Sequence, residues 1–304
     1  MMLRGTPGRA VLVSALTASL VTVPASPAPA AAPAPAVGAK SAYLWDATAN
    51  RAHWAKAPHV RRPIASLTKM MTAEIVLGEG GLDRVVTVQK KHTAYAPKYG
   101  GSTARLRAGD RLTVRQLLYA LLLPSGCDAA YVLADVYGPG QEAFVAKMNR
   151  RAEALKMSNT TYANFDGLPW PTQTSTASTA HDQIRLIRHL MKRPNFRKTV
   201  RRTSYSLRAT AQRRAYTWTN TNRLLRSYPG TIGVKTGFTN AAGYSLAFSA
   251  TRKGRTFYGV VLNSSTTAET ARFTDAATLL DHAYRTRNAR RMAVPPVPPG
   301  ANTD

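Results

Sequence analysis

Apolar and polar positions alternate at both ends of this chain and repeat with a helical period through its middle. Near the start, Ser41–Trp45 and Arg51–Ala55 read as short strands, with the polar run 46–50 between them as a hairpin turn. After Pro63, the stretch Ile64–Ala73 reads as an amphipathic helix ending near Gly78, and 84–88 as a short strand. Residues 99–103 and 108–110 read as loops. Leu117, Leu118, Leu121 and Leu122 form an apolar stripe behind Thr113, an N-cap residue, and this helix stops at Pro124. Two further helices are predicted at 128–137 and 141–155, then a long loop at 158–176 rich in Thr, Ser, Asn and Pro. Ser178 is placed to cap a helix whose Ile184, Leu186, Ile187 and Leu190 are apolar, and which ends before Pro194. The last third turns strand-like, at 204–207, 231–236, 244–251 and 256–262. A tight turn containing Gly254 joins the final pair, and a helix follows at 267–285.

Strands at both ends with helices between them predict an α+β fold, in which the two ends of the chain pair into one sheet that helices cover. The folded domain is expected over 41–290. Residues 1–30 read as a secretory signal peptide, with Arg4 and Arg9 before an apolar stretch and small-x-small sites after it. The apolar part, Ala10–Val23, is too short for a firm membrane span. The Pro/Ala-rich run 31–40 reads as a linker, and the Pro-rich tail 291–304 as disordered. No internal repeat is visible.

Charge narrows the classes. The chain of 304 residues carries 42 Lys and Arg against 15 Asp and Glu, a net charge of +27. Such an excess implies an anionic neighbour. The cations are dispersed, with short pairs such as Arg61-Arg62 and Arg201-Arg202. With no zinc-finger spacing or aromatic-basic interleaving, nucleic acid is disfavoured and an anionic wall polymer preferred. The single cysteine, Cys127, excludes an intramolecular disulfide, and the six histidines are too scattered to suggest a metal site; no metal or cofactor is expected.

Three short stretches carry chemistry. Residues three apart on a helix share a face, so Lys69 can set its amine beside the Ser66 hydroxyl and, if neutral, take its proton. Pro124-Ser125-Gly126-Cys127-Asp128 follows an apolar helix, and Gly233-Val234-Lys235-Thr236-Gly237-Phe238-Thr239 lies in a strand-like run. A Ser-x-x-Lys pair alone is weak. Followed in order by a Ser-x-Asn-type element and Lys-Thr-Gly, it is the signature of penicillin-binding proteins and class A β-lactamases.

With these motifs, and with Asp166-Gly-Leu168 and the Arg272…Leu279-Leu280 spacing, the chain from about Ser41 to Tyr284 resembles the low-molecular-mass penicillin-binding proteins that are serine-type D-alanyl-D-alanine carboxypeptidases. The resemblance implies the serine β-lactamase-like fold: a mainly antiparallel sheet flanked by helices, plus a helical lobe. It implies removal of the terminal D-alanine of peptidoglycan stem peptides, with β-lactams as covalent inhibitors, in an exported protein. It makes Ser66 the nucleophile, Lys69 its base and Ser125 a proton relay. Lys235 and Thr236 would hold the substrate carboxylate, assisted by Arg272, while Gly237 would let the strand approach substrate. Backbone N–H groups of Ser66 and Phe238 would form the oxyanion hole. Read blandly, Ser125 sits in a turn between helices, Lys235 is an edge-strand lysine, and Arg272 is a solvated helix arginine.

Cys127 departs from the pattern, standing where the family usually has Asn. In the second motif it is expected to border the cleft near Lys69 and Lys235, where positive charge favours the thiolate. Three alternatives remain. A β-lactamase is disfavoured because the loop 158–178 contains no Glu, only Asp166. A D,D-endopeptidase would use the same machinery. A non-catalytic cationic wall-binding protein would fit the charge and Cys127.

Overall fold

The hairpin read at the start of the chain forms, as β1 (Ser41–Asp46) and β2 (Arg51–Lys56). The computed structural model describes residues 34–302 and, before them, residues 1–3, 5, 8 and 10. The expected signal peptide and the first part of the linker therefore lie outside the described residues, isolated positions apart. The last linker residues belong to the fold, because Gly38 and Ala39 donate their N–H groups to the Asp275 carboxylate at 2.9 and 2.8 Å.

A two-residue β3 (Arg62–Pro63) leads into a 3₁₀ turn (Ala65–Thr68) and α1 (Lys69–Glu79). Then follow β4 (Val85–Thr87), α2 (Lys90–Lys98), β5 (Arg111–Thr113), α3 (Val114–Leu122), α4 (Cys127–Tyr137) and α5 (Gln141–Ala154). Thr113 caps α3 as expected: its Oγ1 accepts from Gln116 N–H, and Gln116 Oε1 accepts from Thr113 N–H, a reciprocal capping box. Helix α2 escaped the sequence reading because it is polar and contains Pro97; it buries only His92, Tyr95 and Ala96.

After the long loop come β6 (Ala177–Ser178), α6 (Ala180–Leu190) and α7 (Pro194–Val200). Ser178 does not cap α6. Its hydroxyl is engaged by Thr160 and Gln183, and Thr179 caps instead, accepting from Asp182 N–H at 3.0 Å. Pro194 opens α7 at its first turn, where a missing N–H costs nothing. Strands β7 (Ser204–Leu207) and β8 (Tyr216–Thr219) pair locally, the second unforeseen, and α8 (Leu224–Ser227) follows.

The chain closes with β9 (Thr231–Gly237), β10 (Ser245–Arg252), β11 (Arg255–Leu262) and α9 (Ala271–Tyr284). The principal sheet runs β2-β1-β11-β10-β9, antiparallel throughout, so the first two strands join the last three as the pattern required. The turn between β10 and β11 places Lys253 and Gly254 at φ of 48° and 73°, the left-handed pair that suits a two-residue hairpin. One sheet face packs Leu44, Phe248 and Phe257 against Phe273, Leu279 and Leu280 of α9. The other meets α6 and the helical lobe through a larger apolar core.

The expected disorder of the tail is not what the structure describes. Met292 and Val294 pack on the α9 side, and the segment beyond them is hydrogen-bonded to the body. Pro residues reduce the entropy this ordering costs.

A Cβ at Gly259 would lie 2.0 Å from Cζ of Phe248, its partner across β10 and β11. Gly259→Ala is therefore expected to destabilise the fold by about 1–3 kcal/mol through overpacking. Phe248→Leu in the same chain should recover part of that loss in a denaturant titration. A Gly259→Ala transition coincident with wild type would refute this packing.

Candidate active site

Ser66 lies in the 3₁₀ turn ahead of α1, half-buried, and Lys69 begins the α-helix itself. That one-turn offset aligns the two side chains. Lys69 Nζ donates to Ser66 Oγ at 2.8 Å and to the Asp166 carbonyl at 3.0 Å, and the lysine is fully buried. The amine is thus held by the hydroxyl it would deprotonate and by a backbone oxygen of the 158–176 loop.

That loop is built to reach the Ser66 turn. Asn164 ties it together, its Oδ1 accepting from Gly167 N–H at 2.7 Å and its amide donating to the Leu168 and Trp170 carbonyls. Gly167 sits at φ +85°, and a Cβ there would lie 1.9 Å from the Ala65 carbonyl oxygen. No other residue fits so close. The Asp166 carboxyl is fully buried, which pushes its pKa up while the charge of Lys69 pulls against that rise.

The second motif follows α3. Ser125 is fully buried at φ +65°, a conformation that costs a non-glycine residue energy and recurs at functional sites. Its Oγ makes no hydrogen bond among the described residues. Beside it the Asp128 carboxylate accepts from Ala104 N–H, Leu106 N–H and Thr103 Oγ1 at 2.7–3.0 Å, which moors the loop 99–106 to the start of α4.

The third motif is the end of β9. A Cβ at Gly237 would meet the Ile64 carbonyl oxygen and Leu67 Cδ1 at 3.0 Å, so the close approach this glycine permits is to the Ser66 turn itself. Lys235 is indeed on an edge strand, yet it is fully buried, and its Nζ donates to the Thr236 carbonyl at 2.9 Å. Thr236 Oγ1 pairs with Thr221 Oγ1 at 2.6 Å. Arg272 is not a solvated helix residue: it is fully buried, ion-paired with Glu269 at 2.7 Å, and its guanidinium lies over the Tyr244 ring. Tyr244 in turn stacks on Phe238 with centroids 4.2 Å apart.

Ser66, Cys127 and Phe238 line a cleft of about 580 Å³ together with Tyr99–Thr103, Leu168 and Thr239, whereas the buried Lys69, Ser125, Lys235, Thr236 and Arg272 are not on its wall. A larger depression of about 840 Å³, beside Tyr131, Asp135 and Trp170, contains none of the motif residues. Among the described residues no group of His, Cys, Asp or Glu is arranged to hold a metal ion. Sequence reasoning named Ser66, Lys69, Ser125, Cys127, Lys235, Thr236, Gly237, Phe238 and Arg272. It did not name Asn164, Gly167 or Thr221, which act by holding the others. Only Gly167 had a visible signal, a glycine inside the Asp-Gly-Leu triplet.

A serine whose hydroxyl is bonded to a buried lysine, between a helical lobe and an antiparallel sheet, defines a serine acyltransferase or hydrolase site of the penicillin-recognising kind. Residues 28–266 match the D-alanyl-D-alanine carboxypeptidase family, and the chain belongs to that family. It is 40% identical over 275 residues to a D-alanyl-D-alanine carboxypeptidase of Streptomyces sp. strain K15, covering 86% of this chain and 92% of that one. The crystal structure of the Streptomyces K15 DD-transpeptidase superposes with a TM-score of 0.78 at 39% identity, covering 84% of this chain and 100% of that one. A D-alanyl-D-alanine carboxypeptidase structure from Mycobacterium tuberculosis gives 0.76 at 30% identity, over 87% of this chain and 97% of that one.

Cys127 overturns one expectation. It borders the cleft, but only 1% of its surface is exposed, and burial pushes its thiol well above the usual range despite the pull of Lys69. The native chain is expected to resist a bulky maleimide at neutral pH and to take one equivalent after denaturation, read by intact mass. Stoichiometric labelling of the native chain would contradict this burial.

Proposed function

We propose that the chain removes the terminal D-alanine of peptidoglycan stem peptides through an acyl-enzyme on Ser66, and that β-lactams acylate the same oxygen. The observation that carries this reading is the 2.8 Å contact from the buried Lys69 Nζ to Oγ of Ser66, which lines the cleft. Lys69, once it has given up its own extra proton, accepts the Ser66 proton as Oγ attacks the carbonyl carbon between the two D-alanines. Backbone N–H groups of Ser66 and Phe238 receive the developing oxyanion, a contribution of about 3–4 kcal/mol in comparable sites. Ser125, whose hydroxyl is not committed elsewhere, relays a proton to the leaving nitrogen, and D-alanine departs. Water then attacks the ester carbonyl, releasing the shortened peptide and restoring Ser66. Lys235, Thr236 and Arg272 recognise the terminal carboxylate, with Arg272 set by Glu269 and Tyr244.

The β-lactamase alternative needs a carboxylate open to the deacylating water. Asp166 is buried and its Oδ1 already accepts from Leu168 N–H, which favours slow release of penicillin. Cleavage of cross-links would use the same steps on a branched substrate. The non-catalytic reading does not account for a buried lysine aimed at a serine.

Ser66→Ala is expected to abolish both D-alanine release and the penicillin adduct, and Lys69→Ala to slow acylation by about 100-fold or more. An adduct surviving on Ser66→Ala in an intact-mass spectrum would refute the nucleophile. Lys235→Ala should raise KM for free-acid peptides and leave amidated ones unaffected; equal losses on both would remove its carboxylate role.

The charge of +27 and the basic, apolar leader support export to the cell envelope and adhesion to anionic wall polymer. Among the described residues no helix is long and apolar enough to cross a membrane. Retention on isolated cell walls should fall steeply between low and high ionic strength. Retention indifferent to salt would exclude an electrostatic mechanism.

A further inference from the structure

The segment after α9 reaches the cleft at Ala301 and Asn302. Arg223 Nη1 donates to the Pro295 carbonyl at 2.9 Å, and the same arginine pairs with Glu269, the partner of Arg272. At the other end, Asn302 Nδ2 donates to the Thr103 carbonyl at 2.8 Å and to the Pro124 carbonyl at 2.6 Å. Thr103 belongs to the loop moored by Asp128, and Pro124 immediately precedes Ser125. Ala301 and Asn302 thereby share the wall of the cleft with Ser66, Cys127 and Phe238.

Local chemistry directs the segment there. Ala301 N–H donates to the Pro298 carbonyl at 3.0 Å, closing a turn with Pro299 at its second position and Gly300 at its third, φ +72°. Pro followed by a left-handed Gly is the arrangement a type II turn requires. The preceding prolines hold an extended form that loses little entropy on docking. Anchor, stiff spacer, turn and amide clamp succeed one another within eight residues.

We propose that residues 295–302 are a strap that narrows the stem-peptide end of the cleft and competes with substrate there. The strap makes the site more selective: a small acylating molecule passes beneath it, and a bulky or branched peptide must first displace Asn302. It rests on the acyl-enzyme reading above for its consequences, but not for its position. Its hold is a handful of backbone-directed hydrogen bonds, each of modest net worth, so substrate can lift it.

The test compares the full chain with one stopped after Val294, in covalent labelling by a bulky fluorescent penicillin and by 6-aminopenicillanic acid, which has no side chain. Removing the strap is expected to raise the bulky reagent's rate by about fivefold or more, and to change the small one's by less than about twofold. Asn302→Ala should give a smaller rise in the same direction. In a second arm, Thr103→Cys with Asn302→Cys is oxidised with glutathione disulfide and analysed by intact mass and peptide mapping. The 103–302 cross-link should form in the folded chain and slow bulky labelling about tenfold, with recovery on reduction. Failure of that cross-link in the folded chain, or equal bulky-reagent rates with and without the strap, overturns the proposal. A chain that cross-links yet acylates in no variant keeps the strap's position and overturns the serine reading instead.

Discussion

Burying an ammonium group costs several kcal/mol unless oxygen atoms replace the water it loses, and this chain buries two of them at one cleft. Lys69 is repaid by the Ser66 hydroxyl and the Asp166 carbonyl, and Lys235 by the Thr236 carbonyl among its contacts. The Ser66 and Thr236 oxygens are local to the lysines they serve, but the Asp166 carbonyl comes from the loop 158–176, 97 residues along the chain from Lys69. Lys69 is satisfied in its buried position only when that loop reaches the turn before α1. The placement that the proposed chemistry needs, a dry amine beside a serine, is therefore also a requirement on the fold.

Convergence is achieved by removing side chains where backbones must touch. The Ser66 turn is gripped from one side by Gly167, where any Cβ would enter the Ala65 carbonyl, and from the other by Gly237 against Ile64 and Leu67. The loop 158–176 supplies the first glycine and the sheet supplies the second, so Ser66 stands at the seam between them. Glu74, buried in α1 and bonded to Arg151 and Arg193, secures the same helix to α5 and to the start of α7. Removing one partner of such a network would strand a buried charge, which is far more damaging than losing a surface pair.

The acids of this basic protein are largely spent on its interior. Among the described residues eight Asp and Glu side chains are buried, against four Lys and Arg. Asp128, Asp275 and Asp46 accept backbone N–H groups that hold loops and chain ends in place. The outer surface is consequently more cationic than the composition alone conveys, which strengthens the case for an anionic partner. The position of the strap follows the same economy, since Arg223 serves Glu269 and the Pro295 carbonyl together.

Much of this was legible in the chain itself. Period-2 strands at both ends implied a shared sheet, the Thr113 cap and leucine stripe located α3, and the order of three short motifs pointed to the serine and both lysines. These features are local, or depend only on sequence spacing, and so survive without coordinates. What eluded the sequence depends on contacts between distant residues. Helix α2 is stabilised by burying three residues rather than by propensity, and Ser178 yields its capping role because Thr160 and Gln183 claim its hydroxyl. Cys127 is buried near Lys69 and Asp166, and Arg272 lies over an aromatic ring, neighbours whose placement no spacing reveals. The tail shows the division most clearly. Its Pro-Pro-Gly chemistry encodes a stiff segment with a turn, but only the folded body supplies the carbonyls of Thr103 and Pro124 that give the turn somewhere to dock.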